Sequence, residues 1–247
     1  MSPPSAGISL SINNNNLTNV EGFRSLTSIG GYLSITNNNY LTNVEGFRSL
    51  TSVRSSLAIE KNGNLTTVEG FRSLTFIVDQ LSINLNSLLT TLEGFCSVTS
   101  IGGRLYISSN NYLTNVEGFR SVISIGGLFF VNMDYLTNVE GFRSLTSIGG
   151  NLFISAAALT NVEGFRSVTS INGYLYIQSM PYLTNVEGFR SLVALVGVKG
   201  CLWIVSNSVL NLCTAPIVTK AFLIGRSNIT WPCVSTPETF VKGNACQ

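Results

Sequence analysis

The chain contains no histidine, which removes the commonest general acid/base and the commonest zinc ligand together. Charge is scarce as well: 11% of the 247 residues are Asp, Glu, Lys or Arg, the formal net charge is +2, and no two basic residues adjoin. The sequence therefore carries no electrostatic footprint for nucleic acid or for an anionic membrane surface. No apolar run approaches the length of a membrane span. The opening MSPPSAG lacks the charged-then-apolar order of a secretory leader, so none is expected within the chain itself.

What remains is 45% hydrophobic residues and 23 glycines, ample material for a folded core. The chain is organised by an internal repeat, which decides every later reading. LTNVEGFRS or a close variant begins at Leu17, Leu41, Leu65, Leu89, Leu113, Leu136, Leu159 and Leu183, at spacings of 24, 24, 24, 24, 23, 23 and 24 residues. A half repeat, ISLSINNNN, precedes the first unit, and an altered one, CLWIVSNSVLNLC, follows the last.

One unit, LTNVEGFRSLTSIGGYLSITNNNY, places apolar residues at Leu17, Val20, Phe23, Leu26, Ile29, Leu33 and Ile35. The glycines and the abundance of Thr, Val, Ile and Ser argue against an α-helix. The unit reads as a coil of three short strands, LTNV, LTSI and YLSIT, joined by the EGF turn, the Gly-Gly turn and an Asn-rich corner. Coils stacked about 4.8 Å apart would pair each strand with its equivalents above and below. The expected fold is all-β: a right-handed parallel β-helix, or solenoid, of about eight to nine coils. Its parts are a half coil over residues 1–16, repeats over 17–209, and a cysteine-rich cap over 210–247. A leucine-rich repeat is the runner-up, set aside because no helical segment is evident to line a convex face.

The Gly-Gly, Leu-x-Ile and Asn-corner elements over residues 8–213 resemble the receptor L-domain. They are most similar to the L-domain-like repeats of fungal cell-wall surface proteins and of related protist and bacterial proteins. The resemblance implies the β-helix and a ligand-binding sheet face; no kinase, furin-like or membrane segment accompanies it, so receptor signalling is not implied.

In a solenoid, equivalent residues form rows, and function is sought in rows. Thr18, Thr42, Thr66, Thr90, Thr114, Thr137, Thr160 and Thr184 form one, explained by β-propensity and hydroxyl stacking; ice binding is a minor alternative. Asparagines mark the corner, where local backbone bonding suffices to explain them. Glu21, Glu45, Glu69, Glu93, Glu117, Glu140, Glu163 and Glu187 stack in another row, three residues before Arg24, Arg48, Arg72, Arg120, Arg143, Arg166 and Arg190. The two rows should interleave as ion pairs, with no convergence of oxygens for a metal. Cys96 interrupts the arginines and is expected to be exposed, leaving Glu93 short of a partner. Cys201, Cys213, Cys233 and Cys246 crowd the last 47 residues and read as a disulfide-stapled cap, with three possible connectivities. Asn16, Asn64 and Asn228 head glycosylation sequons.

On the outward face of the YLSIT strand, counting from the N-terminus, the row reads Ser11, Ser34, Ala58, Ser82, Tyr106, Phe130, Phe153, Tyr176, Trp203, with the inward row running through Leu105, Phe129 and Leu152. Five aromatics follow four small residues, a stripe about 19 Å long. Arg104, Leu128, Asn151 and Tyr174 flank it on one side, and Ser108, Asn132, Ser155 and Gln178 on the other. Ring stacking between coils is one explanation, but the first four coils manage without rings. The candidate ligand-binding residues are Tyr106, Phe130, Phe153, Tyr176, Trp203, Arg104, Asn151, Tyr174 and Gln178. The expected function is an extracellular or cell-surface recognition and adhesion module for a protein or a polysaccharide. The alternative is a structural protein that self-associates into a wall layer or filament, because the first coil begins on an uncapped strand edge. The scattered carboxylates Asp79, Asp134, Glu60 and Glu238 do not converge as a hydrolase would need. No enzyme, cofactor, metal, nucleic-acid partner or membrane span is expected.

Overall fold

The computed structural model describes residues 8–195 and 202–210. It is an all-β solenoid, without α-helix among the described residues. Strands Leu10–Ile12, Leu33–Thr36, Leu57–Glu60, Leu81–Asn84, Ser100–Ser108, Ser124–Val131, Leu152–Ile154, Leu175–Gln178 and Leu202–Val205 pair in parallel, one per coil, and build the principal sheet. A second run of two-residue strands, from Ser28–Ile29 to Ala194–Leu195, pairs alongside and merges with it at Ser100–Ser108 and Ser124–Val131.

The remaining third of each coil departs from the expected three strands. LTNV is not a strand. In four coils its threonine amide bonds to the coil before, as in Thr66 N–H to Thr42 O at 3.0 Å and Thr90 N–H to Thr66 O at 3.2 Å. The Glu-Gly-Phe that follows is a 3-10 turn in all eight coils that contain it. Its start is capped by the residue two before the glutamate, Asn43 Oδ1 accepting from Glu45 N–H at 3.1 Å and Thr67 Oγ1 from Glu69 N–H at 3.2 Å. An apolar residue every third position suits this element, because 3.0 residues per turn return each to the same face.

The apolar rows close a continuous core, with Leu33, Val44, Phe47, Leu50, Leu57 and their equivalents inaccessible to solvent. The turn phenylalanines, Phe23 to Phe189, stack in one unbroken column with ring centroids 5.3–5.6 Å apart. At the corner, Asn38, Asn62, Asn86 and Asn110 are buried and form a ladder. Each Oδ1 accepts from the backbone N–H of the equivalent residue one coil earlier, as from Asn38 to Asn62 at 3.0 Å and from Asn62 to Asn86 at 3.1 Å. Each Nδ2 donates to a strand carbonyl, Ile35, Ile59 and Ile83 among them. Ladder residues thus meet the demand that buried polar groups be paired. The strand leaves through a left-handed residue at Asn37, Lys61, Leu85, Ser109, Asn132, Ser179 and Ser206, φ 53–56°.

Both threonine rows are tied to the fold: Thr66 Oγ1 donates to Thr42 O at 3.1 Å, and Thr51 Oγ1 to Thr27 O at 2.9 Å. The Glu and Arg rows pair between coils from Glu93 onward: Arg120–Glu93 2.6 Å, Arg143–Glu117 2.9 Å, Arg166–Glu140 2.6 Å and Arg190–Glu163 2.6 Å. Arg24–Glu21 and Arg72–Glu69 instead pair within their own turn. The expectation for Cys96 is corrected on two counts. The thiol is half-buried rather than exposed, and Glu93 has Arg120. Because the arginines from Arg120 onward reach back one coil, the side chain that Cys96 fails to supply is an inter-coil partner for Glu69, which pairs with Arg72 in its own turn instead. These pairs lie near the surface, worth about 0–1 kcal/mol each.

The expected register is corrected in the sixth coil. Leu105, Tyr106, Ile107 and Ser108 pair with Leu128, Phe129, Phe130 and Val131. Leu128 and Phe130 are therefore the inward residues, both fully buried, and Phe129 faces out. Asn132, expected beside the stripe, is the left-handed corner residue, and Val131 takes its place. The residue missing from this 23-residue coil is lost at the Gly-Gly turn, where the pairing slips between Ile101 and Arg104. The expected cap, with Cys213, Cys233, Cys246 and the sequon at Asn228, and likewise Cys201, lies outside the described residues.

The turn glycines are demanded by space. A Cβ on Gly118 would lie 1.8 Å from the Leu92 carbonyl oxygen, whereas a Cβ on Gly22, in the first coil, meets nothing within 4 Å. Gly118→Ala is expected to destabilise by about 1–3 kcal/mol or more, with Gly22→Ala close to neutral; thermal melts of the two variants against wild type check this. Equal midpoints would show that coils can separate without loss.

Candidate functional site

The principal sheet presents one face outward, and its middle row is set by the register: Ser11, Ser34, Ala58, Ser82, Tyr106, Phe129, Phe153, Tyr176, Trp203. The step from small residues to aromatics is as expected, with Phe129 in place of Phe130. Tyr106, Phe129, Phe153 and Tyr176 are half-buried, the last three in contact with neighbouring rings.

The rings stack on one another. Phe129 and Phe153 have centroids 6.4 Å apart at 18°, Phe153 and Tyr176 5.9 Å at 43°, and Tyr174 meets Tyr176 edge-on at 5.7 Å. The Arg104 guanidinium covers Phe129 at 5.6 Å from its centroid, a cation–π contact. The result is a ridge of ring edges rather than a floor of open faces. Burial pushes the Tyr176 phenol above its ordinary pKa, and Tyr174 adds to the shift, so the Tyr176 ring is neutral at physiological pH. Asn151 Oδ1 accepts from Tyr174 N–H at 2.9 Å, which fixes the flank between Phe153 and Tyr176. Gln178 is half-buried and sits in register with Val205.

The N-terminal half of the same face is polar. Glu60 Oε1 accepts from Ser82 Oγ at 2.6 Å and from Asn84 Nδ2 at 3.2 Å, and Asn84 also donates to Ser82 Oγ at 2.7 Å. Ser56 Oγ donates to Asp79 Oδ2 at 2.9 Å. No three His, Cys, Asp or Glu side chains among the described residues gather as a metal site.

Residue counting missed two features. Phe129 was hidden by the one-residue deletion. Tyr40, Tyr112, Tyr135 and Tyr182, which stand 59–63% exposed at the corner, were hidden because Asn16, Asn64, Leu88 and Ala158 share their row. Asn16 and Asn64 are themselves exposed, as a glycosylated asparagine must be.

The register correction separates two adjacent phenylalanines. Phe130→Ser empties a buried ring site, with an expected loss of about 3–5 kcal/mol. Phe129→Ser removes a half-buried ring, with an expected loss of about 1 kcal/mol. Chemical denaturation of the two single variants checks the order; a reversal would restore the uncorrected register.

Residues 61–182 match a family model for the BspA type leucine rich repeat region, in six copies. No curated protein and no solved structure matches the chain. The expected solenoid stands, and the repeat type set aside for want of a helical segment is the one that these coils are similar to, each with a 3-10 turn. The match is to leucine-rich repeats and not to the receptor L-domain that the Gly-Gly and Leu-x-Ile elements resemble. The chain is a repeat protein, and its central coils are similar to BspA-type leucine-rich repeats.

Proposed function

We propose that the chain is a non-catalytic recognition and adhesion module that captures a protein partner on the aromatic half of its principal sheet. The carrying observation is the ridge Tyr106, Phe129, Phe153, Tyr176, confined to the C-terminal coils and continued in register by Trp203. Half-buried rings held by neighbours have little side-chain freedom left to lose on binding, and aromatic side chains dominate protein hot spots. Sugar rings, by contrast, stack on open aromatic faces, and here neighbouring rings and Arg104 occupy those faces. The similarity of residues 61–182 to a leucine-rich repeat region supports a role in protein interaction. A cell-surface or extracellular setting suits such a role. No helix among the described residues is long and apolar enough to cross a membrane.

The test compares wild type with the triple variant Phe129→Ser, Phe153→Ser, Tyr176→Ser, which copies what Ser34 and Ser82 already provide. Binding of labelled chain to intact cells should fall about tenfold or more in the variant, and shaving the cells with protease should abolish wild-type binding. Binding that survives shaving, or that the variant retains, would remove the ridge as a protein site. Loss of self-association alone, read by light scattering, would replace recognition with assembly.

A further inference from the structure

The corner row offers a different surface. Tyr40, Tyr112, Tyr135 and Tyr182 occupy equivalent positions immediately before the buried Leu41, Leu113, Leu136 and Leu183. The four residues are 59%, 60%, 62% and 63% exposed. None of the four side chains makes a hydrogen bond, ion pair or ring contact with another described residue. Unlike the ridge rings, none of the four is covered by another described ring or by a cation. Tyr112 and Tyr135 stand on consecutive coils, about 4.8 Å apart along the axis, and Tyr182 follows two coils on, about 10 Å further.

The surroundings are polar but almost uncharged. Two residues beyond each tyrosine lies an exposed threonine: Thr42, Thr114, Thr137 and Thr184. The hydroxyls of Thr137 and Thr184 donate their protons to Thr114 O and Thr160 O; Thr184 Oγ1 also accepts from Asn185 Nδ2 at 3.3 Å, which leaves acceptor capacity on both exposed oxygens. Before the tyrosines come Asn39, Asn111, Asp134 and Pro181, of which only Asp134 is charged.

We infer that this corner row is a docking track for a neutral, linear polysaccharide lying along the solenoid axis. Each requirement of such a ligand is met by a separate observation. An open ring face carries the negative side of the aromatic quadrupole, which attracts the polarised C–H bonds of a pyranose. Outward threonine oxygens accept from sugar hydroxyls, and exposed asparagine amides donate. The near absence of charge disfavours a polyanion. The axial spacing of the rings is close to the interval at which an extended β-linked pyranose chain repeats, so one polymer meets Tyr112, Tyr135 and Tyr182 together. Weak single contacts then add through effective concentration. The track lies at the corner, apart from the sheet ridge, so a chain held on a polysaccharide keeps its aromatic ridge free.

The probes are insoluble β-1,4-glucan and chitin, with starch granules as the α-linked control. The full chain is sedimented with each, beside the triple variant Tyr112→Ser, Tyr135→Ser, Tyr182→Ser, the matching triple Phe variant and the ridge variant Phe129→Ser, Phe153→Ser, Tyr176→Ser. Wild type should sediment with at least one β-linked polymer and little with starch. The Ser variant should lose about tenfold or more of its affinity, while the Phe and ridge variants retain it. Exposed tyrosines contribute little to folding, so all variants should share the wild-type circular dichroism spectrum and melting midpoint to within a few degrees. Wild type that binds neither β-linked polymer, or a Ser variant that binds as well as wild type, overturns the inference. So does a Ser variant whose sole change is lost self-association, which would make the row a contact between copies of the chain.

Discussion

Everything in this molecule depends on how closely one coil can lie on the next, and the limiting contact is at the Glu-Gly-Phe turn. There the glycine packs its Cα against the carbonyl of the residue preceding the turn one coil below, leaving no room for a side chain at Gly46, Gly70, Gly94, Gly118, Gly141, Gly164 or Gly188. That approach lets the phenylalanine beside it stack at 5.3–5.6 Å on its equivalents, and it matches the strand spacing on the opposite side of the coil. Without it, the turn side would open relative to the sheet side, and the hydrogen bonds between strands would have to stretch. The repeat is therefore conserved within the chain where spacing is tightest, at Glu-Gly-Phe, and varies most at outward strand positions.

The period, the inward rows and the parallel register of most coils were legible in the sequence, because a solenoid repeats its constraints at a fixed interval. What escaped were features set by position within the interval. A coil of 23 residues announces a deletion without saying where it falls, and near residue 129 either placement puts a phenylalanine inward and another outward. Only the slip between Ile101 and Arg104 decides that Phe130 is core. The LTNV segment reads as a strand or as the lead into a 3-10 turn, since both accept Leu and Val; hydrogen bonds such as Phe47 N–H to Val44 O at 3.0 Å distinguish them. Sequence spacing offers Glu93 the residue three ahead, whereas its partner Arg120 lies 27 residues ahead, one coil on. The candidate face was legible as a row, and its chemistry was not: rings that look like a platform in sequence are turned on edge by one another.

The corner ladder is interrupted in three coils. Asn38, Asn62, Asn86 and Asn110 tie the early coils through side-chain bonds to backbone, Met133, Ala156 and Met180 fill the equivalent buried positions in the next three, and Asn207 resumes the ladder. The coils that lose the asparagine are those that carry Phe129, Phe153 and Tyr176 on the sheet. An amide that satisfies two backbone groups contributes about 1 kcal/mol per bond, and a cross-strand aromatic pair about 0.5–1 kcal/mol. The exchange leaves stability between neighbouring coils comparable while changing what the sheet shows to solvent. In a quasi-one-dimensional fold, where each coil answers mainly to its neighbours, such a substitution can be made locally.

The ridge and the corner tyrosines also differ in the one property that decides what an aromatic ring can bind. Ridge rings are half-buried, stacked, and covered at one end by Arg104, so their accessible surface is rigid, apolar and edge-on. Such a surface rewards a partner that brings its own apolar side chains and excludes water around them. Corner rings stand free among hydroxyls and amides, a surface that suits a ligand with alternating C–H faces and hydroxyl edges. Both arrangements follow from the same repeat. Where strands pair, outward side chains of successive coils lie about 4.8 Å apart, and Phe129, Phe153 and Tyr176 stack; at the corner, adjacent rings such as Tyr112 and Tyr135 stand exposed without such a contact. The geometry of the coil thus divides the aromatic surface into two chemically distinct rows before any ligand is present.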